Sequence, residues 1–150
     1  MSIPSGVRIE DECISAVNQL RNRRGEDKPR FILFKISNDQ KSVTVESVSS
    51  EKDYDVFLDK LSSAVDENGK AAPRYAVYDV EYDLGEEGKR IRTVFISWVP
   101  PETSIKSRML YATTREQLNK ALNLGLSIHA DDLDDIEWSS VVHQVSRGRA

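Results

Sequence analysis

Residues 104–122 read SIKSRMLYATTREQLNKAL, the most informative stretch of the chain, because it predicts a long helix with two contrasting faces. Each residue of an α-helix turns the chain by about 100° around the axis. One broad stripe is therefore apolar, of the kind that a globular domain buries. Its members are Leu110, Tyr111, Leu118, Ala121 and Leu122.

The opposite stripe of this helix is unusual, since a solvated face is normally uniformly polar. It carries Ile105 and Met109 one turn apart, flanked by Lys106 and Arg108. The stripe continues through Ala112, Glu116, Asn119 and Lys120. This pattern predicts a helix that lies in a groove of another protein. Two alternatives remain open: a neighbouring loop covers both apolar residues, or they are stray exposed side chains of the kind that monomers carry.

The composition predicts a single domain over residues 1–150, with a flexible segment at 1–8. A chain of this length can bury a core without disulfides or a structural metal. The 21 basic and 25 acidic residues give a net charge of −4, which argues against general nucleic-acid binding. The single Cys13 excludes an intramolecular disulfide and fits a reducing compartment. No apolar run approaches the ~20 residues of a membrane helix, and the start lacks a signal-peptide region, so we expect a soluble, intracellular protein.

The order of the predicted elements indicates an α/β fold, with a central mixed five-stranded sheet and helices on both faces. Apolar residues at helical spacing predict helices over residues 10–20, 53–61, 104–122 and 138–145. Alternating or continuous apolar runs predict strands over residues 31–36, 42–48, 74–84, 93–99 and 124–128. Turns are predicted at residues 38–41 and 85–90.

A small hydrolase is a remote alternative. Cys13, His129 and His143 could supply a nucleophile and bases, and four aspartates could form a metal cluster: Asp131, Asp132, Asp134 and Asp135. Cys13, however, lies in an amphipathic helix, where a small buried apolar role is expected. The two histidines lie in different elements without metal-ligand spacing, and the aspartates resemble a solvated loop that opens the last helix. We therefore expect no catalytic residue, metal or cofactor.

Seven short sequence matches, each in its expected element, carry a resemblance to a known family. They are SGV (5–7), FILF (31–34), YDVFL (54–58), RYAVYD (74–79), EGKR (87–90), ISWVP (96–100) and IKSRMLYATT (105–114). On these residues the chain closely resembles the actin-depolymerising factor/cofilin family, and its tail is most similar to the fungal-type members. The resemblance runs nearly end to end and implies a single ADF-homology domain with a long, kinked actin-binding helix.

The function implied by this resemblance is binding to actin monomers and filaments, with preference for ADP-bound actin, and severing and depolymerisation of filaments without covalent chemistry. The implied contacts with both monomer and filament are Ser5, Gly6, Val7, Ile105, Lys106, Arg108, Met109, Glu116 and Lys120. The implied filament-specific contacts are Lys89, Arg90, Arg92, His143, Gln144 and Arg147.

The resemblance also implies how the protein is regulated. Ser5 matches the family's phosphorylation site, where a phosphate adds about −1.5 to −2 charge next to acidic actin. Phosphoinositides would compete with actin for five cations: Lys89, Arg90, Lys106, Arg108 and Lys120. Cyclase-associated and actin-interacting cofactor proteins are further expected partners. We expect a monomer in the cytoplasm at the actin cytoskeleton; the thin basic cluster Arg21, Arg23 and Arg24 leaves nuclear import open.

Two departures from the family pattern thin the charge of the actin-facing surface. The chain has His143-Gln144 where fungal relatives tend to carry an acid-base pair, and Asn119 occupies a basic position of the long helix. We therefore expect weaker filament binding or milder severing.

A second alternative keeps the fold but changes the target: a glia-maturation-factor type that acts on the actin-related branching complex. Retention of residues 5–7 and of the Lys89-Arg90 pair favours the cofilin interpretation.

Overall fold

The computed structural model describes residues 6–22 and 28–150. Across these residues the chain forms a six-stranded sheet with the order β1-β3-β2-β4-β5-β6. Its strands are β1 (Arg8–Ile9), β2 (Phe31–Ile36), β3 (Ser42–Ser49), β4 (Arg74–Asp83), β5 (Lys89–Trp98) and β6 (Ser127–Ala130). The helices are α1 (Asp11–Asn22), α2 (Tyr54–Ser62), α3 (Ile105–Ala121) and α4 (Trp138–Val145), with 3-10 turns at Gly85–Glu87 and Leu133–Ile136. Ser5, Arg23 and Arg24 lie outside the described residues.

The sheet is mixed, as predicted, but it has one strand more than predicted. The pairs β2–β3, β2–β4 and β4–β5 are antiparallel, whereas β1–β3 and β5–β6 are parallel. The missed strand, β1, is too short to show a period-2 pattern; Arg8 N donates to Lys41 O at 2.7 Å. Val7 is 1% exposed. These two residues belong to the segment 1–8 for which we expected flexibility, yet the structure packs and pairs them.

Two apolar cores lie on opposite faces of the sheet among the described side chains. The first core lies under α1 and α3, and the second lies under α2 and α4. Strand β2 feeds both cores, because Ile32 and Phe34 point to the first and Phe31 and Leu33 to the second. This arrangement explains the continuous apolar run of β2, since a strand covered on both faces need not alternate with polar residues.

The β4–β5 hairpin is longer than its neighbours and projects beyond them. The pairing runs from Arg74↔Trp98 to Asp83↔Lys89. Strand β2 pairs only with residues 75–78 of β4, and β6 pairs only with residues 95–98 of β5. We predicted a turn over residues 85–90, but the turn ends at Gly88 and β5 begins at Lys89. The charged start of β5 lacks apolar alternation, so cross-strand pairing rather than sequence pattern defines it.

Helix α3 begins and ends with recognisable caps. Ser104 Oγ accepts from Ser107 N at 3.2 Å, as expected for an N-cap serine. At the other end Asn123 has φ +56°, and Leu124 N donates to Asn119 O at 3.2 Å, which together close the helix. The predicted bend at Thr113–Thr114 stays a prediction; Thr113 Oγ1 donates to Met109 O at 3.0 Å, a contact often found where helices bend.

The end of the chain follows the prediction closely. Helix α4 occupies residues 138–145 as predicted, whereas the last strand is displaced by a few residues from the predicted 124–128 to Ser127–Ala130. Each helix that the structure describes is too short or too polar to cross a membrane.

Candidate functional site

The outward face of α3 exposes its two large apolar side chains. Ile105 is 76% exposed and Met109 is 63% exposed. The alternative in which a neighbouring loop covers them is therefore wrong for the described residues. On the inward face Tyr111 and Leu118 are buried as predicted. Thr114 is also fully buried. Its place on the inward face was not predicted, because a threonine is not expected on an apolar stripe.

The two cations beside the apolar pair have different surroundings. Lys106 is exposed. Arg108 is half-buried, and its Nη2 donates to Pro101 O at 3.1 Å and lies 3.4 Å from Pro100 O. Arg108 therefore fixes the start of α3 to the preceding proline turn, and a guanidinium has further donors that could bind a partner.

The second half of the outward face is polar. Glu116 and Lys120 form an exposed i,i+4 ion pair at 3.5 Å, an arrangement that adds a few tenths of a kcal/mol (about 0.3–0.5) to a helix. Asn119 is half-buried, and its Oδ1 has no hydrogen-bond partner among the described residues. The position at which the family resemblance implies a cation is thus partly withdrawn from the surface.

Of the three N-terminal residues predicted to contact actin, the structure describes two. Gly6 is exposed, with φ +80°, a conformation that glycine adopts without strain. Val7 is 1% exposed and packs in the first core. This side chain anchors the N-terminal segment, so a contact between Val7 and actin, which stays a prediction, would have to come from its backbone. Ser5 lies outside the described residues.

A second surface forms where the projecting hairpin meets the end of α4. Lys89 is exposed, and its Nζ lies 3.9 Å from Glu81 Oε1. Arg90 Nη1 donates to Glu87 O at 2.7 Å, and Arg92 Nη1 donates to Val145 O at 3.1 Å. The α4 side of this surface presents three exposed residues: His143, Gln144 and Arg147. The structure thus brings together residues that are more than 50 positions apart in sequence, and their contact with a filament stays a prediction.

The candidate catalytic residues do not assemble into a reactive site among the described residues. Cys13 is buried, its Sγ donates to Val43 O at 3.3 Å, and burial raises the pKa of its thiol to about 12. A thiol of this kind is protonated at neutral pH and is a poor nucleophile. His129 contacts Asp131 at 2.9 Å and lies 3.4 Å from the hydroxyl of Ser97, but Ser97 is 1% exposed and cannot meet a substrate.

The cluster of four aspartates has a structural role. Asp132 and Asp135 form a capping box around the 3-10 turn Leu133–Ile136. Within residues 6–22 and 28–150 no group of three or more His, Cys, Asp or Glu side chains is placed to hold a metal ion.

The fold and the outward face of α3 together define a class of protein-binding domain. Its main feature is a capped helix with exposed apolar residues and adjacent cations on one side of a mixed sheet. A family model described as cofilin/tropomyosin-type actin-binding protein matches residues 6–146. Because this match covers nearly all of the chain, the protein belongs to the cofilin/ADF family of actin-binding proteins.

Individual relatives agree with this family. The chain is 40% identical over 146 residues to cofilin of Eremothecium gossypii, a match that covers 96% of this chain and 95% of the relative. It is 36% identical to cofilin of Saccharomyces cerevisiae over 146 residues, again covering 96% and 95%. The crystal structure of Streptomyces griseoflavus cofilin superposes with a TM-score of 0.81 at 31% identity and covers 95% of this chain and 99% of that chain.

Proposed function

We propose that this protein binds actin monomers and filaments through the outward face of α3, prefers ADP-bound subunits, and severs and depolymerises filaments. The observation that carries the proposal is the exposure of Ile105 and Met109, 76% and 63%, next to Lys106 on a capped helix. Two large apolar side chains exposed one turn apart form a small apolar patch with cations at its border, and patches of this kind mark protein-binding sites.

The apolar and charged residues of this face contribute differently. Burying Ile105 and Met109 in a groove supplies about 1.5–3 kcal/mol each from the hydrophobic effect. Lys106 and Arg108 lie beside them and complement acidic actin, which raises the association rate and fixes orientation. The implied contacts Glu116 and Lys120 extend the same face by three further turns, so their contributions should be smaller.

The second surface supports a difference between filaments and monomers as targets. Strand β5 contains ten residues, about 33 Å at roughly 3.3 Å per residue. Lys89 lies at its start, whereas α3 follows its end. Lys89 and the start of α3, which carries Ile105 and Met109, thus lie toward opposite ends of β5, and a filament offers a second subunit to the hairpin and the end of α4. We assign direct filament-specific binding to Lys89, Arg90, His143, Gln144 and Arg147, and Arg92 belongs to the same surface.

Regulation follows from the same electrostatics. Phosphorylation of Ser5 would place negative charge near acidic actin and weaken binding. Phosphoinositides would occupy the cations Lys89, Arg90, Lys106, Arg108 and Lys120 and exclude actin, so a membrane surface and the filament would compete. With cyclase-associated and actin-interacting cofactor proteins as partners, the protein would act as a monomer in the cytoplasmic actin cytoskeleton and, where imported, in the nucleus.

Cosedimentation with pure actin filaments, with no branching complex present, tests this function. We expect the protein to pellet with filaments and to accelerate their disassembly, more strongly for ADP-actin. Failure to bind pure actin, combined with binding to the branching complex, would establish the glia-maturation-factor type instead.

A pair of matched variants locates the binding face. Ile105→Ser should lower affinity for monomer and filament about tenfold or more, since truncation at an interface centre costs on the order of 2 kcal/mol. Val48→Ser makes the same kind of change at another exposed apolar site, 50% exposed on β3, and should leave binding unchanged. Equal binding by both variants would refute the assignment to α3.

A further inference from the structure

The C-terminal end of α4 depends on one side chain from another part of the fold. The last carbonyls of a helix lack intrahelical donors. Three of those in α4 accept from the backbone of the next turn: Val142 from Ser146 at 2.9 Å, His143 from Gly148 at 2.8 Å and Gln144 from Arg147 at 3.3 Å. The fourth carbonyl, that of Val145, accepts from Arg92 Nη1 at 3.1 Å. A guanidinium at this position also complements the negative end of the helix dipole.

A second contact joins the same two regions. The side chain of Arg149 forms an ion pair with Glu87 in the hairpin turn. Arg149 N donates to Ser146 O at 3.2 Å, so the chain after α4 folds back against the helix end. The hairpin is therefore attached twice: a strand residue contacts the end of α4, and the hairpin turn contacts the segment that follows α4.

The hairpin needs such attachments because its end is unsupported by other strands. At its base Asp79 is 2% exposed, pairs with Lys28 at 2.5 Å and accepts from Thr93 Oγ1 at 2.6 Å. Beyond this point the pairs from Val80↔Arg92 to Asp83↔Lys89 have no flanking strand among the described residues. An isolated two-stranded ribbon is marginally stable in water.

Arg92 lies on the side of the ribbon that faces α4. Its cross-strand partner Val80 is fully buried in the second core with Val141 and Val145. Arg92 itself is half-buried, whereas Lys89 of the same strand has a side chain that is 74% exposed. Arg92 and Lys89 are thus in different environments, since Arg92 is turned against α4 whereas Lys89 is largely exposed to solvent.

We propose that Arg92 is a positioning residue which, together with the Glu87–Arg149 ion pair, holds the hairpin against α4 and preforms the filament-specific surface. The inference rests on the proposed function for its effect on filaments. In this arrangement Lys89 and Arg147 meet the second actin subunit, while Arg92 acts through them. A preformed surface binds more tightly because less conformational entropy is lost on association.

The first test compares Arg92→Met with Lys89→Met, each of which removes one cation from the same strand. For Arg92→Met we expect faster amide hydrogen exchange at residues 80–83 and 89–92 in the free protein, filament affinity lower by about tenfold, and unchanged monomer binding. Lys89→Met should weaken filament binding with wild-type exchange. Wild-type exchange in Arg92→Met would refute the positioning role.

The second test reverses the exposed ion pair and does not depend on the stability of an Arg92 variant. Glu87→Arg alone places two cations together and should speed exchange in the ribbon and weaken filament binding about twofold to fivefold. Combining it with Arg149→Glu restores an ion pair of opposite polarity and should return both measurements toward wild type. A double variant no better than the single one would overturn the proposal.

The two levels of the hypothesis fail separately. A wild-type chain that binds monomers but not filaments refutes the filament function, whatever the exchange rates of the hairpin. Normal filament binding by the wild type, with no change in exchange or affinity in Arg92→Met and Glu87→Arg, refutes the positioning role alone.

Discussion

The outward face of α3 and the surface at the β4–β5 hairpin are built in opposite ways. The first comes from one helix of 17 consecutive residues, whose geometry alone places Ile105 and Met109 side by side. The second joins a hairpin to a helix end, and its Arg92–Val145 contact spans 53 positions of sequence. A surface carried by one helix should lose binding when its contacts are removed, whereas an assembled surface should also lose binding when its parts move apart.

The largest effect is expected on the helical surface, from Lys106→Ala combined with Arg108→Ala. Each truncation at the interface centre costs about 2 kcal/mol or more, so binding to monomers and filaments should be lost together. Because Arg108 also bonds to Pro101 O, the melting temperature should fall slightly, by no more than about 3 °C. Cosedimentation, monomer binding and thermal unfolding measure these effects. Lys41→Ala is the control, and normal binding by the double variant would refute the assignment.

A smaller and more selective effect is expected from Arg147→Gly in the assembled surface. Arg147 has φ +57°, a left-handed conformation that costs a non-glycine residue about 1 kcal/mol. The variant should gain up to about 1 kcal/mol in the free energy of unfolding yet lose about tenfold in filament affinity, with monomer binding intact.

Urea denaturation and cosedimentation of this variant separate strain from charge when Arg147→Ala is measured beside it. The alanine variant also lacks the cation but keeps the strained backbone, so it should lose filament binding without the gain in stability. If Arg147→Gly binds filaments as well as the wild type, the cation does not contact the filament.

A gain of several-fold in severing is expected from His143→Glu combined with Gln144→Arg. Both residues are exposed on α4, so the pair changes the charge of the assembled surface with little effect on stability. The measurement is the severing rate of single filaments, compared at equal occupancy by the two proteins. Equal occupancy is needed because charge complementarity also changes how fast and in which orientation the protein binds. Equal severing rates for the two proteins would show that the missing acid-base pair is unimportant in this chain.

The smallest effect, about twofold to threefold tighter filament binding, is expected from Asn119→Lys on the helical surface. The new ammonium group would extend to solvent while its alkyl stem stays against α3. The substitution would also remove Asn119 Oδ1, a buried acceptor without a hydrogen-bond partner among the described residues. Cosedimentation measures the change. Ser62→Lys adds the same charge at the exposed end of α2 and should leave binding as it is; an equal gain from both variants would indicate net charge rather than position.

The local pattern was sufficient for most elements, and its failures have physical reasons. Helix α4 was predicted to the residue because Val141 and Val145 mark its buried face. The start of β5 was missed because Lys89, Arg90 and Arg92 carry no apolar alternation, and their strand conformation comes from pairing with β4. Strand β1 was missed because two residues cannot display a period, although Val7 beside it is buried.

The sequence by itself determined the two faces of α3, the doubly buried strand β2 and the membership of the cofilin/ADF family. The features of α3 and β2 depend on spacings within one element, where each residue of a helix turns by about 100° and each residue of a strand by about 180°, whereas the family resemblance depends on short matches spread along the chain. Only the tertiary structure decided that Val7 is buried, that Arg108 fixes the start of α3, and that Arg92 joins the hairpin to α4. Such roles depend on which distant backbone groups packing brings within hydrogen-bonding distance, and no local periodicity encodes them.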